Sequence, residues 1–475
     1  MRLMIHNRAW RHVMTGLAIL GLAAHALAPI RPASAKGTAA TAKPQAAAPA
    51  SKARTGSSMK IQEVRSPGGI SAWLVEEHSV PLIAMRFAFS GGSAQDPDGK
   101  AGVANFLSAM LDEGAGDLDA AAFQERMEEI AMRMTFQDGR DTLYGNMQTL
   151  TENRDAAADL LRLALSKPRF DRAASDRIRK QLLANLAFAA KNPNSVASNA
   201  WIAAAFPNHP YGRPAAGTLE SVTGILPKDL EVFRKRVFAR EHLKIAVVGD
   251  IDAGALGLML DKIFGDLPAK AELKSMPAVK LTGKDRTNVI QLQVPQSVVF
   301  FGTEGLKRKD PDYIAGFVMN HILGGGGFGS RLMEEVREKR GLAYSVHSYL
   351  QHYDQAQFFA GTVATKNEKV GESLDVIRSE LKRMAANGPT AEELANAKSY
   401  LTGSYALRFD TNAKIASQLL GIQNDGLGAD YVATRNSMIE AVTLDDVKRV
   451  AKRVLGTNGL IVTVVGQPKN LPGGG

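Results

Sequence analysis

The chain contains no cysteine among its 475 residues. Disulfide staples, thiolate metal ligands and thiol nucleophiles are therefore excluded, and passage into an oxidising compartment would cost nothing. Beyond the first thirty residues there is no apolar run of transmembrane length. Acidic residues are missing from residues 1–58, which carry eight Lys or Arg. That segment holds eight of the ten excess positive charges and leaves +2 for the rest, so the overall +10 does not describe a nucleic-acid-binding surface.

The N-terminus sets Arg2, Arg8 and Arg11 before an apolar stretch, Val13 to Ala28, followed by the small residues Ala33, Ser34 and Ala35. This is the grammar of a secretory signal peptide over residues 1–35, with export to the periplasm as the expectation. Without a cysteine at the cleavage site there is no lipid anchor, and no membrane span is expected after cleavage. Residues 36–58, rich in Ala, Pro and Lys with no large apolar side chain, read as a disordered tether.

The remaining chain, 45% hydrophobic overall, is long enough for two domains, and one pattern occurs in it twice. Two alternating strands, Ser71–Val75 and Leu82–Phe89, precede Asp96-Pro97-Asp98 and a helix with Val103, Phe106, Leu107, Met110 and Leu111 on one face. The strand Val298–Gly302, then Asp310-Pro311-Asp312 and a helix bearing Ile314, Phe317, Val318, His321 and Ile322, repeats it 214 residues later. A basic amphipathic helix leading into an apolar strand closed by glycine also recurs, at Asp229–Gly249 and, 217 residues on, at Asp446–Gly466. Two nearly equal offsets predict a duplicated α+β domain, residues 59–268 and 287–475, joined by a polar linker over 269–286.

The most informative stretch is Gly324 to Val346, GGGGFGSRLMEEVREKRGLAYSV. A glycine-rich loop, Gly324 to Gly327 foremost, opens onto a helix with Glu334 and Glu335 early and Arg337, Lys339 and Arg340 late, the order a helix dipole favours. Gly341 ends that helix and a strand follows, so Arg337 and Tyr344 can converge. Gly324, Gly326 and Gly329 also satisfy G-x-G-x-x-G. The preceding residues have helical rather than strand period and no Walker lysine follows, which argues against a phosphate cradle and for a mobile loop lining a cavity.

This stretch resembles the C-terminal half of M16 zinc peptidases, the pitrilysin and mitochondrial-processing-peptidase group. The likeness extends over roughly residues 61–466 and includes His209-Pro210-Tyr211-Gly212-Arg213-Pro214. It implies two homologous domains, each a mainly antiparallel sheet packed with helices, together forming half of a clamshell. In that family the first helix of the N-terminal half carries H-x-x-E-H, and a later helix adds a glutamate ligand. Here Asn105, Ser108 and Ala109 occupy the motif, and Asn185 stands at the third-ligand position. An alanine has no donor and a neutral amide is a poor zinc ligand, so no metal and no catalytic cofactor are expected in this chain. The plain reading of Asn105 and Asn185 is as polar side chains hydrogen-bonded across a vacated pocket.

By the same resemblance Arg337 and Tyr344 contact the substrate backbone, with Gly324, Gly325, Gly326 and Gly327 beside them. Some two-chain members divide the work between a zinc-bearing subunit and a zinc-less one that keeps the Arg and Tyr. The expectation is the second type, a non-catalytic subunit whose partner is an H-x-x-E-H-containing homologue holding the zinc, acting on unfolded peptides. A purely structural or peptide-binding homologue remains the alternative. An autonomous peptidase with relocated ligands would need clustered histidines, and none of His78, His209, His242, His321, His347 and His352 is spaced i, i+4.

Overall fold

Strand signals in the sequence resolve into two sheets of matching topology. In the computed structural model, which describes residues 59–283, 285–456, 459–469 and 471, the first sheet contains β1 (Gln62–Arg65), β2 (Ser71–Glu76), β3 (Leu82–Ser90), β4 (Arg133–Asp138), β5 (Thr142–Leu150) and β6 (Lys244–Gly249). The second contains β7 (Thr287–Gln291), β8 (Gln296–Glu304), β9 (Ala343–His352), β10 (Gln357–Lys366) and β11 (Ile461–Gly466). The orders are β1-β2-β6-β3-β5-β4 and β7-β11-β8-β10-β9, the same path with one extra edge strand in the first. Each sheet has one parallel pair, β2 with β6 and β7 with β11, and is otherwise antiparallel. The glycines closing β6 and β11 share one backbone conformation, φ 148 at Gly249 and φ 149 at Gly466. A Cβ at either would strike the neighbouring strand, at the Leu82 carbonyl or at Ser297. The proposed leader and tether, residues 1–58, lie outside the described residues. Among those described, no helix is long and apolar enough to cross a membrane.

Each sheet buries one face under helices of its own half. Val103, Phe106, Leu107, Met110 and Leu111 are all fully buried against Phe87, Phe89 and Met147. In the second half Val318 and Ile322 are buried, with Ile314 and Phe317 packed partly against the same core.

The other face of each sheet is covered by the opposite half. The helix Pro193–Ala205, started by Pro193 with the Asn192 side chain accepting from Asn194 and Ser195, lays Trp201 on Phe300 and Phe358 of the second sheet, ring centroids 5.1 and 5.2 Å apart. The Trp201 indole N–H donates to the Ile461 carbonyl at 2.9 Å. Reciprocally, Asn412–Asn424 packs Ala416, Leu419 and Leu420 onto Val75, Ala88, Ala246 and Val248 of the first sheet. Ala197 and Ala416, 219 residues apart, are the equivalent contacts, so the repeat extends to the exchanged helices.

Polar contacts also cross between the halves. The Tyr211 hydroxyl donates to Asp141 at 2.7 Å and accepts from the Gln355 amide at 3.0 Å, while Asp141 accepts the Asp354 amide through its other oxygen. The segment read as a polar linker is tied at both ends. Glu272 donates its amide to the Arg236 carbonyl, Val279 to Gln355 and Thr282 to Ala205. With the central strands of each sheet covered on both faces in this way, the described residues form one compact unit.

Candidate functional site

The helix that carries Arg337 is fixed from below. Arg331 is buried and pairs bidentately with Glu393, both oxygens at 2.6 Å, while donating to the Gly388 carbonyl. Glu335 is buried as well and accepts from Lys339 at 2.8 Å and Arg340 at 2.6 Å. Those hydrogen bonds, Lys339 first, hold its carboxyl below the usual range. From Met333 to Glu338 the turns widen to π-helical spacing. Gly341 then adopts φ 59 and ends the helix, its amide bonded to the Arg337 carbonyl and that of Leu342 to Val336. Non-glycine residues rarely adopt that conformation, so Gly341 sets the entry into β9.

These anchors turn Arg337 outward over the first residues of β9, at the edge of the second sheet. Its guanidinium carbon lies 5.0 Å from the centroid of the Tyr344 ring and 4.6 Å from that of Phe328. Tyr344 is 79% exposed and Phe328 68%. The Arg337 Nη1 is shielded from solvent without a hydrogen-bond partner, and Nε is 3.4 Å from Glu338. The predicted pair is thus brought together, and a third member that the sequence reading omitted joins it. A lone aromatic within a run of glycines was the available signal for Phe328.

The glycines behave differently from the expected loop. His321–Gly325 continues the preceding helix as a π-helical turn, with Gly324 buried. A Cβ at Gly324 would lie 2.9 Å from both the Leu332 side chain and the Ser348 amide. Gly325 packs as closely on Asn320, so both glycines permit helix packing, and only Gly326–Gly329 form the turn.

At the degenerate metal positions the expected bridging of two asparagines does not occur. Asn105 donates to Asp138 on β4 at 2.9 Å. Asn185 is exposed on the helix Arg172–Ala189 and faces solvent rather than a shared pocket, because only the first half of that helix is well buried. Ser108 is buried and donates its hydroxyl to the Ala104 carbonyl at 2.9 Å. Ala109 packs against the hydrophobic core. A zinc ion does not fit this set: one side chain has no donor, one is committed to a backbone carbonyl, one to a carboxylate, and the fourth is out in solvent. Among the described residues, no group of three or more His, Asp or Glu is arranged to hold a metal ion.

Comparisons with known proteins agree with this architecture. Residues 74–219 match the family model described as insulinase (peptidase family M16), and residues 225–401 match the peptidase M16 inactive domain. The non-peptidase homolog YmxG of Helicobacter pylori is 29% identical over 83% of this chain and 91% of its own length. An uncharacterized zinc protease of Streptomyces coelicolor, SCO5738, is 25% identical over 83% of this chain and 87% of its own. Among solved structures, a peptidase M16 inactive domain from Pseudomonas fluorescens superposes with a TM-score of 0.81 at 28% identity, covering 87% of this chain and 98% of that one. Matched in both halves and with the duplicated fold in place, the chain belongs to the M16 peptidase family as an inactive-type homologue.

Proposed function

We propose that this protein is the zinc-less subunit of a heterodimeric M16 metallopeptidase in the periplasm, exported by the leader in residues 1–35 and paired with an H-x-x-E-H-bearing homologue. The carrying observation is the Arg337 guanidinium lying over the largely exposed Tyr344 ring at the edge strand of the second sheet. A partner's zinc would supply the activated water. Arg337 and Tyr344 would donate to the carbonyl of an unfolded peptide bound as an added strand, steadying negative charge on its oxygen. Gly324, Gly325 and Gly326 let the backbone come close to Ser348, Asn320 and His321, and with Gly327 they would line the peptide's path beside Arg337 and Tyr344.

Co-expression with an H-x-x-E-H homologue encoded nearby, followed by a peptide-cleavage assay, tests the reading. Arg337→Ala combined with Tyr344→Phe is expected to lower kcat by about 100-fold or more, the cost of losing oxyanion donors. Unchanged turnover refutes a catalytic contribution. A second reading, a structural or peptide-binding homologue outside proteolysis, is favoured by the likeness to the protein named a non-peptidase homolog. Purification as a stable monomer or homodimer, with no zinc-bearing companion, would select it.

A further inference from the structure

Phe328 is an exposed phenylalanine held in a fixed place. The turn that presents it is closed by the Ser330 amide and hydroxyl, both donating to the Gly327 carbonyl at 3.1 and 2.7 Å. Below it, Gly326 rests on His321, where a Cβ would come within 2.7 Å of the carbonyl oxygen and 3.2 Å of two ring atoms. The His321 ring is in turn stacked on Tyr400 at 5.2 Å. Among the described residues nothing lies within 4 Å of a Cβ placed at Gly327 or Gly329, and the Phe328 ring on this braced turn is largely exposed. Its protein neighbour is Arg337, on the side that also faces Tyr344.

We infer that Phe328 is a specificity-determining residue of the site proposed above, receiving an aromatic or large aliphatic side chain of the peptide whose backbone Arg337 and Tyr344 hold. This rests on the peptide-binding reading of that pair and adds which peptides are chosen. An extended peptide sends successive side chains to opposite sides. When one of its carbonyls meets the Arg337 and Tyr344 donors, a flanking side chain is brought toward the ring. Two exposed aromatic rings beside a single cation favour an apolar side chain, since rings pack edge-to-face or offset against other rings and aliphatic groups. A carboxylate is the competing ligand, because the Arg337 guanidinium is a cation beside the two rings.

Fluorescence anisotropy on the purified full chain tests the inference with three labelled, unstructured peptides that differ only in a central Phe, Ala or Glu. Wild type is expected to bind the Phe peptide about three- to tenfold more tightly than the Ala peptide, the range an aromatic pair contributes. Phe328→Ala should collapse that ratio toward one, Phe328→Leu should restore part of it, and Arg337→Ala should weaken all three peptides together. Equal wild-type affinities, or a ratio that survives Phe328→Ala, overturn the inference and leave the Arg337–Tyr344 reading standing if Arg337→Ala still weakens binding. A wild-type preference for Glu overturns it in favour of charge recognition. No effect of Arg337→Ala refutes the underlying site, and no binding of any peptide refutes both. Since Phe328 lies outside the core, an unchanged melting temperature separates these results from misfolding.

Discussion

Three carboxyl groups in the N-terminal half, Asp96 buried and Asp112 and Asp141 half-buried, set a pH dependence that a surface reading of the charges would miss. Burial pushes Asp96 up to about 7, against hydrogen bonds from the Ala104 and Gly102 amides, and pushes Asp112 and Asp141 up to about 6. In the unfolded chain each would titrate near 3.8. Between about pH 4 and these raised values the native state holds protons that the unfolded state has released, so stability falls as pH rises through that window, by up to about 1.4 kcal/mol per pH unit per group. The urea midpoint is therefore expected to be higher at pH 5 than at pH 7.5, and Asp96→Asn should flatten the trend. A midpoint that rises between those pH values contradicts it. The side chains of the candidate site were unevenly legible. Arg337 and Tyr344 could be brought together on paper because a helix, a left-handed glycine and a strand leave little freedom between them. Phe328 could not, since the direction of an exposed ring depends on a turn whose brace, His321 on Tyr400, is remote in sequence. Gly324 and Gly325 read as loop because glycine costs about 1 kcal/mol in a helix relative to alanine. Close packing on Leu332, Ser348 and Asn320 overrides that preference.

At the level of elements, the repeat was legible in strands and in the apolar faces of the helices that follow them, while the exchange of helices was not. Amphipathic spacing shows that a helix buries a face without showing whose sheet receives it. Trp201 belongs by sequence to the first half, yet it packs between Phe300 and Phe358 of the second and bonds the Ile461 carbonyl. Gly302 has no side chain beneath it, and a Cβ there would lie 2.5 Å from the indole. Trp201→Ala should cost about 3–5 kcal/mol, the usual range for emptying a large aromatic site. The loss should appear in the other half: hydrogen exchange of the β8 and β11 amides is expected to speed up more than that of β3 and β5. Equal protection in the two sheets would show that the helix is incidental to the second one.

For the whole molecule, the exchange makes the two halves interdependent although each has its own sheet and its own interior. Removing residues 287–475 would uncover Val75, Ala88, Ala246 and Val248, now roofed by Ala416, Leu419 and Leu420. Removing residues 59–268 would uncover Val298, Phe300, Phe358 and Val465 in the same way. A sheet face of that composition in water forms a contiguous apolar patch that drives association. The nearly neutral remainder of the chain, +2 once residues 1–58 are set aside, offers little net repulsion to oppose it. Residues 59–268 and 287–475 expressed singly are accordingly expected to be insoluble or aggregated, and the two fragments co-expressed should form a soluble one-to-one complex with the circular dichroism of the intact chain. A monomeric N-terminal fragment with a cooperative melt would mean that the Asn412–Asn424 helix only rests on a face stable without it, and the case for obligate exchange would fall.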